Sequence, residues 1–181
     1  RDFIGDEPFV VMLGDDLNNI NGDAEPLTKE LINSYEETGA STLAVMRVPH
    51  EDTAKYGVIN PSKEVMPGLY NVTSFVEKPE PKDAPSDYVF TPEIFDVLAK
   101  TKPGKGNEIQ LTDAINTLNK TQRVFAHEYK GHRYDVGNKF GWIETNIEYG
   151  LKHPETKDEL REYIKDLGVK FAAEDKKKPA K

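Results

Sequence analysis

Short apolar runs alternate with segments whose apolar residues have helical spacing, and this alternation constrains the fold more than any other feature. The run Phe9 to Leu13 is too short for a helix and apolar on both faces, which is typical of an interior parallel strand. Apolar residues spaced four apart from Leu27 predict a helix that ends at Gly39. Thr42 to Val48, rich in β-branched residues, is a second strand. Strand, helix, strand is the order of a βαβ unit, so we expect an α/β fold.

The rest of the chain continues the same pattern. Asn71 to Val76 and Val124 to Tyr129 are predicted strands, and the proline-rich segment from Glu80 to Ser86 is a predicted loop. Apolar residues at helical spacing predict four more helices, with the stripes Ile94, Phe95 and Leu98; Leu111, Ile115 and Leu118; Phe140, Ile143, Ile147 and Leu151; and Leu160, Tyr163, Ile164 and Leu167. We therefore expect a mixed, mostly parallel sheet followed by a C-terminal helical segment.

Composition limits the partners and the chemistry. The 181 residues carry a net charge of −8, which disfavours nucleic acid and anionic membranes as partners. There is no cysteine, so disulfides, thiolate catalysis and cysteine-based zinc sites are excluded and a reducing compartment is favoured. No apolar stretch reaches about 18 residues, which predicts a cytoplasmic protein. The cluster Lys176 to Lys178 is interpreted as part of a solvated terminus.

Acidic residues follow two of the predicted strands. Asp15 and Asp16 come directly after the run Phe9 to Leu13, and Asp135 comes after another strand-like segment. Ligands collect at the carboxyl ends of strands in open α/β sheets, and carboxylates suit Mg²⁺. The alternative is that these aspartates cap helices or turns, and the residues alone leave both interpretations open.

The segment Val76-Glu77-Lys78-Pro79 ends another predicted strand. A carboxylate and a lysine stiffened by the following proline suit a sugar phosphate. A surface ion pair is the alternative. The histidines show no metal spacing, and motifs of serine hydrolases, zincins and P-loop NTPases are missing from the sequence.

Taken in order, these motifs resemble a known family. The chain is similar to the bacterial UTP–glucose-1-phosphate uridylyltransferases, also called UDP-glucose pyrophosphorylases, from Asp2 to about Leu167. Five segments carry the resemblance: Leu13-Gly14-Asp15-Asp16, Lys55-Tyr56-Gly57-Val58-Ile59, Phe75-Val76-Glu77-Lys78-Pro79, Gly106-Asn107-Glu108-Ile109-Gln110-Leu111-Thr112-Asp113-Ala114-Ile115 and Arg133-Tyr134-Asp135-Val136-Gly137. Five motifs in one order are far more specific than any one of them.

The resemblance implies a Rossmann-like nucleotidyltransferase fold and a Mg²⁺-dependent reaction. In that reaction the phosphate of glucose 1-phosphate attacks the α-phosphorus of UTP, giving UDP-glucose and pyrophosphate. The nucleophile is already ionised at neutral pH, so no serine, cysteine or histidine base is needed. Residues 1–170 would be the C-terminal two-thirds of a single nucleotidyltransferase domain, and residues 171–181 a disordered Lys-rich tail. A homo-oligomer is expected.

The resemblance also assigns roles to individual residues. Asp15 and Asp135 would hold Mg²⁺, Lys78 would bind the phosphate of glucose 1-phosphate, and Glu77 the sugar hydroxyls. Gly57, which has no side chain, would let its backbone amide approach the sugar. A second group of residues, which shapes the site rather than touching substrate, would comprise Asp16, Asn107 and Glu108.

Two departures from the family pattern are visible. Nothing in the chain matches the family's N-terminal glycine-rich loop with its arginine and lysine, and a few apolar residues are missing between Asp87 and Tyr88. A chain without that loop is expected not to form UDP-glucose. Three alternatives therefore stay open: a sibling nucleotidylyltransferase that uses another base, a non-catalytic module that binds sugar phosphates or nucleotide sugars, and a metal-dependent glycosyltransferase.

Overall fold

Seven strands and four helices form in the part of the chain that the computed structural model describes, residues 7–19, 24–86, 88–90 and 111–176. The strands are β1 (Asp16–Asn19), β2 (Ser41–Arg47), β3 (Gly57–Met66), β4 (Leu69–Glu77), β5 (Tyr88–Phe90), β6 (Val124–Glu128) and β7 (His132–Asp135). The helices are α1 (Leu27–Thr38), α2 (Leu111–Leu118), α3 (Lys139–Lys152) and α4 (Lys157–Asp175). The predicted helix with the stripe Ile94, Phe95 and Leu98 lies outside the described residues.

The chain divides into two units. Unit 1 comprises residues 1–14 and 18–132, and unit 2 comprises residues 15–17 and 133–181. That both units belong to one nucleotidyltransferase domain, as expected above, stays a prediction. In unit 1 five strands pair in the closed order β2-β5-β3-β4-β6. Their inward side chains and one residue of α2 form the core: Leu43, Val45, Ile59, Val72, Phe75, Tyr88, Ile115, Val124 and Ala126.

Helix α1 has the bounds that its sequence predicts. It ends where Gly39 adopts a left-handed conformation, with φ of 63°, and the Gly39 N–H donates to the carbonyl of Tyr35 at 2.7 Å. Glycine is favoured there because a Cβ is disfavoured at positive φ. Leu31 and Ser34 form the buried face of the helix.

The prediction of an α/β fold with a mixed sheet is confirmed, but the prediction that the sheet is mostly parallel is wrong for the described residues. Strands β2 and β6 are parallel, whereas the other four pairings in this sheet are antiparallel. The reason is a hairpin. A turn at Pro67 and Gly68, with φ of 76° at the glycine, joins β3 directly to β4. Strand β3 itself is missing from the sequence-based prediction.

The predicted buried strand from Phe9 to Leu13 is also wrong for this structure. Residues 8–13 join neither sheet, and most of their side chains are exposed. Phe9 and Val10 instead line a cavity with Leu31 and Tyr35 of α1. A strand is stabilised by hydrogen bonds to a neighbouring strand, so an apolar run alone does not form one.

Strand β1 pairs with β7, and in unit 2 helix α3 packs against α4. The ring of Tyr134 lies 5.6 Å from that of Tyr149, which connects β7 to α3. Helix α4 continues to Asp175, so the expected disordered tail does not begin at residue 171. Residues 177–181 lie outside the described part. Among the described helices, none combines the length and the hydrophobicity that crossing a membrane requires.

Candidate active site

Asp15 and Asp135 come together in unit 2. Asp15 precedes β1 and Asp135 ends β7, and the Val136 N–H donates to the carbonyl of Asp15 at 2.9 Å. The carboxylate of Asp135 accepts a further hydrogen bond from the Gly137 N–H at 3.0 Å. Pairing of two strands that are far apart in sequence therefore brings the two predicted ligands to one place.

Gly137 leaves a space between these carboxylates. A Cβ on Gly137 would lie 2.7 Å from Asp15 Oδ2 and 3.2 Å from Asp135 Oδ1. Two carboxylate oxygens thus converge on one point that a side chain would fill. Hard oxygen ligands on two sides of a small space are the donor set that Mg²⁺ prefers.

Asp16 has a different environment from Asp15. Its carboxylate is buried, with 6% of the side chain exposed, and Oδ1 lies 2.6 Å from Nε of Arg133. Burial raises the pKa of Asp16; the Arg133 charge lowers it, and the carboxylates of Asp135 and Asp15 raise it further. The arginine thus balances the charge of Asp16 and leaves Asp15 and Asp135 as the carboxylates available to a cation.

The acidic cluster supplies few ligands. In the described ranges, no group of three or more histidine, cysteine or acidic side chains is arranged to hold a metal ion. Mg²⁺ commonly binds to one or two carboxylates, with water and substrate phosphates completing its coordination. Two aspartates therefore fit a metal that shares its ligands with a phosphorylated substrate.

The start of α3 fixes the backbone of Asp135. Asn138 caps this helix by accepting a hydrogen bond from the Gly141 N–H at 2.7 Å, and its amide donates to the carbonyl of Asp135 at 3.1 Å. A Cβ on Gly141 would lie 2.0 Å from that same carbonyl oxygen. Only a glycine allows the helix to begin so close to β7.

In unit 1 the β3–β4 hairpin brings together the other predicted residues. Glu77, the last residue of β4, pairs with Gly57, the first residue of β3. The Lys78 N–H donates to the carbonyl of Tyr56 at 2.9 Å, which places Lys78 directly after the last pair of the ladder. Two segments that are separate in the sequence therefore form one end of a hairpin.

Lys78 has an unusual backbone conformation. Its φ is 43°, the one positive value among the described residues other than glycine. A side chain costs about 1–2 kcal/mol in this left-handed region. Pro79 is buried and Lys78 is exposed, so Lys78 is accessible to a ligand in solvent.

Sequence reasoning misses several residues that the structure places at these two clusters. The hydroxyl of Thr112 in α2 donates to Oε2 of Glu77, and no role was predicted for it. The same is true of Arg133, Gly137 and Gly141. Thr112, Arg133 and Gly137 lie inside the motifs that carry the resemblance, which is the signal that could have identified them. Asn107 and Glu108 lie outside the described residues.

Comparisons with known proteins show what this chain is similar to. A UTP–glucose-1-phosphate uridylyltransferase of Streptococcus pyogenes is 62% identical over 175 residues, which cover 93% of this chain and 58% of the relative. A UDP-glucose pyrophosphorylase solved in complex with UDP-glucose aligns with 84% of this chain and 59% of its own, at 41% identity and a TM-score of 0.76. A UTP-bound enzyme of this type from Acinetobacter baumannii aligns with 92% of this chain and 59% of its own, at 30% identity and a TM-score of 0.78.

The chain thus spans 58% of the length of the Streptococcus relative. The pattern of the nucleotidyl transferase family matches residues 1–151, which include both clusters described above. This chain belongs to the nucleotidyl transferase family.

Proposed function

We propose that the protein carrying this sequence transfers a uridylyl group from UTP to glucose 1-phosphate and releases pyrophosphate. The observation that carries the proposal is the 62% identity to a uridylyltransferase over 93% of the chain. The geometry supports it, because the residues expected to bind a metal and a sugar phosphate form two ordered clusters.

Each cluster has a separate task in this proposal. Asp15 and Asp135 hold a Mg²⁺ ion, which neutralises phosphate charge during the transfer. Lys78 binds the phosphate of glucose 1-phosphate, and Glu77 accepts hydrogen bonds from the sugar hydroxyls. The backbone of Gly57, beside Glu77 at the end of the hairpin, contacts the sugar ring.

Proton transfer is not required of the protein. The attacking phosphate oxygen carries a negative charge at neutral pH, so the side chains orient it and compensate its charge. The exposed ammonium group of Lys78 does this at the sugar phosphate. Asn107 and Glu108 are proposed to shape the site without touching the reacting atoms.

A hybrid enzyme tests the proposal. In it, this chain replaces the matched stretch of the Streptococcus relative, and UDP-glucose and pyrophosphate are measured with UTP, dTTP or ATP as the nucleotide. We expect turnover with a preference for UTP. A preference for another base would indicate a sibling nucleotidylyltransferase. Tight binding of UDP-glucose without turnover would indicate a binding module.

We also propose that the protein is a homo-oligomer and lies in the cytoplasm. In unit 2, α3 and α4 expose large apolar side chains, including Phe140 at 72%, Trp142 at 58% and Phe171 at 57%. Exposed apolar surface of this kind is stabilised by contact with another chain. Equilibrium sedimentation should give a mass above the 20.4 kDa of one chain, and a monomer would contradict the assembly. The absence of cysteine supports a reducing compartment.

A further inference from the structure

One face of α2, together with the residue just after the helix, carries three polar side chains that bind β4. Strand β4 pairs with β3 along most of its length, but pairs with β6 only over Leu69–Asn71. Beyond Asn71, side chains of α2 and of the residue just after it make hydrogen bonds to this edge of β4. Thr112, Asn116 and Asn119 recur at the spacing of one helical face.

Asn116 acts as a substitute for a neighbouring strand. Its Oδ1 accepts from the Phe75 N–H at 2.8 Å, and its Nδ2 donates to the Phe75 carbonyl at 2.7 Å. Asn119 donates to the carbonyl of Val72 at 2.9 Å. These bonds satisfy backbone groups that would otherwise need a strand, and they determine where β4 lies against α2.

Thr112, one turn before Asn116, makes the contact nearest the end of the strand. Its side chain is buried, and its hydroxyl donates to Oε2 of Glu77. A hydroxyl that donates to a carboxylate makes a charge-assisted hydrogen bond, which is stronger than a neutral one. Oε1 of Glu77 is not part of this bond.

We propose that Thr112 is a positioning residue for recognition of the sugar. By binding Oε2, Thr112 selects one rotamer of Glu77 and leaves Oε1 to accept a hydrogen bond from a hydroxyl of glucose 1-phosphate. The inference rests on the function proposed above, and it adds a residue that acts through Glu77 without touching the substrate. Preorganisation of this kind improves binding because less side-chain freedom is lost when the ligand arrives.

The first measurement compares the affinity for glucose 1-phosphate in four proteins by calorimetry. Thr112→Val removes the hydroxyl at nearly constant volume and should weaken binding by up to about tenfold, because Glu77 then loses side-chain freedom when the sugar binds. Thr112→Ser keeps the hydroxyl and should bind as the unaltered chain does. Thr117→Val is the matched control, because Thr117 is an exposed threonine of the same helix that bonds to the carbonyl of Asp113.

The second measurement is a double-mutant cycle with Glu77→Ala. If Thr112 acts through Glu77, then Thr112→Val should have no further effect on glucose 1-phosphate binding once Glu77 is removed. In the hybrid enzyme the KM for glucose 1-phosphate should rise while the KM for UTP stays constant. A general structural role would instead change both KM values.

Failure of the inference and failure of the proposed function give different results. Suppose that the unaltered chain binds glucose 1-phosphate. If Thr112→Val then binds it equally well, Thr112 has no positioning role. The same conclusion holds if Thr112→Val lowers the affinity as much in the Glu77→Ala background as in the unaltered chain. If neither the unaltered chain nor the hybrid binds glucose 1-phosphate, the proposed function is wrong and the inference falls with it. Should Thr112→Val fail to fold, Thr112→Ala against Thr112→Ser isolates the same hydroxyl, and equal affinities would refute the inference.

Discussion

The carbonyl oxygen of Asp135 lies only 2.0 Å from the point where a Cβ on Gly141 would stand. This contact joins the last residue of β7 to the first turn of α3, and Asn138 bonds to both residues. The position of a proposed metal ligand therefore depends on a glycine six residues away in the sequence. A side chain at position 141 would overlap this carbonyl oxygen unless the backbone of Asp135 or of α3 shifted.

Gly141→Ala should move Asp135 and destabilise the protein. We expect a loss of about 1–3 kcal/mol in the free energy of unfolding, because the new methyl group overlaps backbone rather than a flexible side chain. Gly168→Ala is the matched control. Gly168 also lies in a helix, and its Cβ would meet nothing within 4 Å beyond its own neighbouring backbone, so alanine there should stabilise by about 0.5–1 kcal/mol. Thermal unfolding of the two variants measures the contrast, and equal effects would contradict the packing described.

Gly137→Ala should remove the proposed cation site without unfolding the protein. Its φ is not positive, so alanine can adopt the backbone, yet the methyl group would occupy the space between Asp15 and Asp135. Mn²⁺, which accepts the same oxygen ligands, can be followed by electron paramagnetic resonance. We expect the affinity for Mn²⁺ to fall at least about tenfold with little change in unfolding temperature. Unchanged affinity would mean that the cation binds elsewhere.

Asp15→Asn and Asp135→Asn should each lower kcat of the hybrid enzyme by at least about 100-fold, because a divalent ion supplies several kcal/mol of charge stabilisation. Folding should change little. Asp158→Asn, an exposed aspartate of α4 in the same unit, should leave kcat unchanged. Near-normal turnover of both site variants at saturating Mg²⁺ would indicate that the two aspartates cap helices or turns and do not bind a metal.

Lys78 offers a test in which binding and stability change in opposite directions. Lys78→Ala and Lys78→Gly should both weaken the binding of glucose 1-phosphate far more than the binding of UTP. Glu77→Gln should chiefly impair recognition of the sugar ring. Lys78→Gly should also stabilise the fold by about 1 kcal/mol, because glycine accepts a φ of 43° without strain. Lys63→Ala, an exposed lysine of β3, is the control.

The outcome for Lys78 is read from two KM values and one unfolding curve. Equal small changes in the KM for both substrates would make Glu77 and Lys78 a surface ion pair. A glycine variant less stable than the alanine variant would show that the left-handed turn carries no strain.

Local patterns predicted most of the elements. The bounds of α1, the positions of β2, β4 and β6, and the inward position of Ile115 and Leu118 on α2 are confirmed, because periodicity and glycine or proline boundaries act over a few residues. The hairpin of β3 and β4 was missed, although Pro67 and Gly68 mark its turn. Phe9 to Leu13 was misassigned for the opposite reason: its composition favours a strand, but a strand exists only with a partner.

The sequence by itself determined the type of chemistry: acidic residues after strands, a Glu-Lys pair before a proline, and an order of motifs that resembles one family. Only the tertiary structure decided which groups meet. Strand pairing brings Asp15 to Asp135 and Gly57 to Glu77. An ion pair with Arg133 gives Asp16 a different environment from that of Asp15. Helix packing brings Thr112 to Glu77. These contacts link residues far apart in the chain, so they depend on long-range packing that no local pattern encodes.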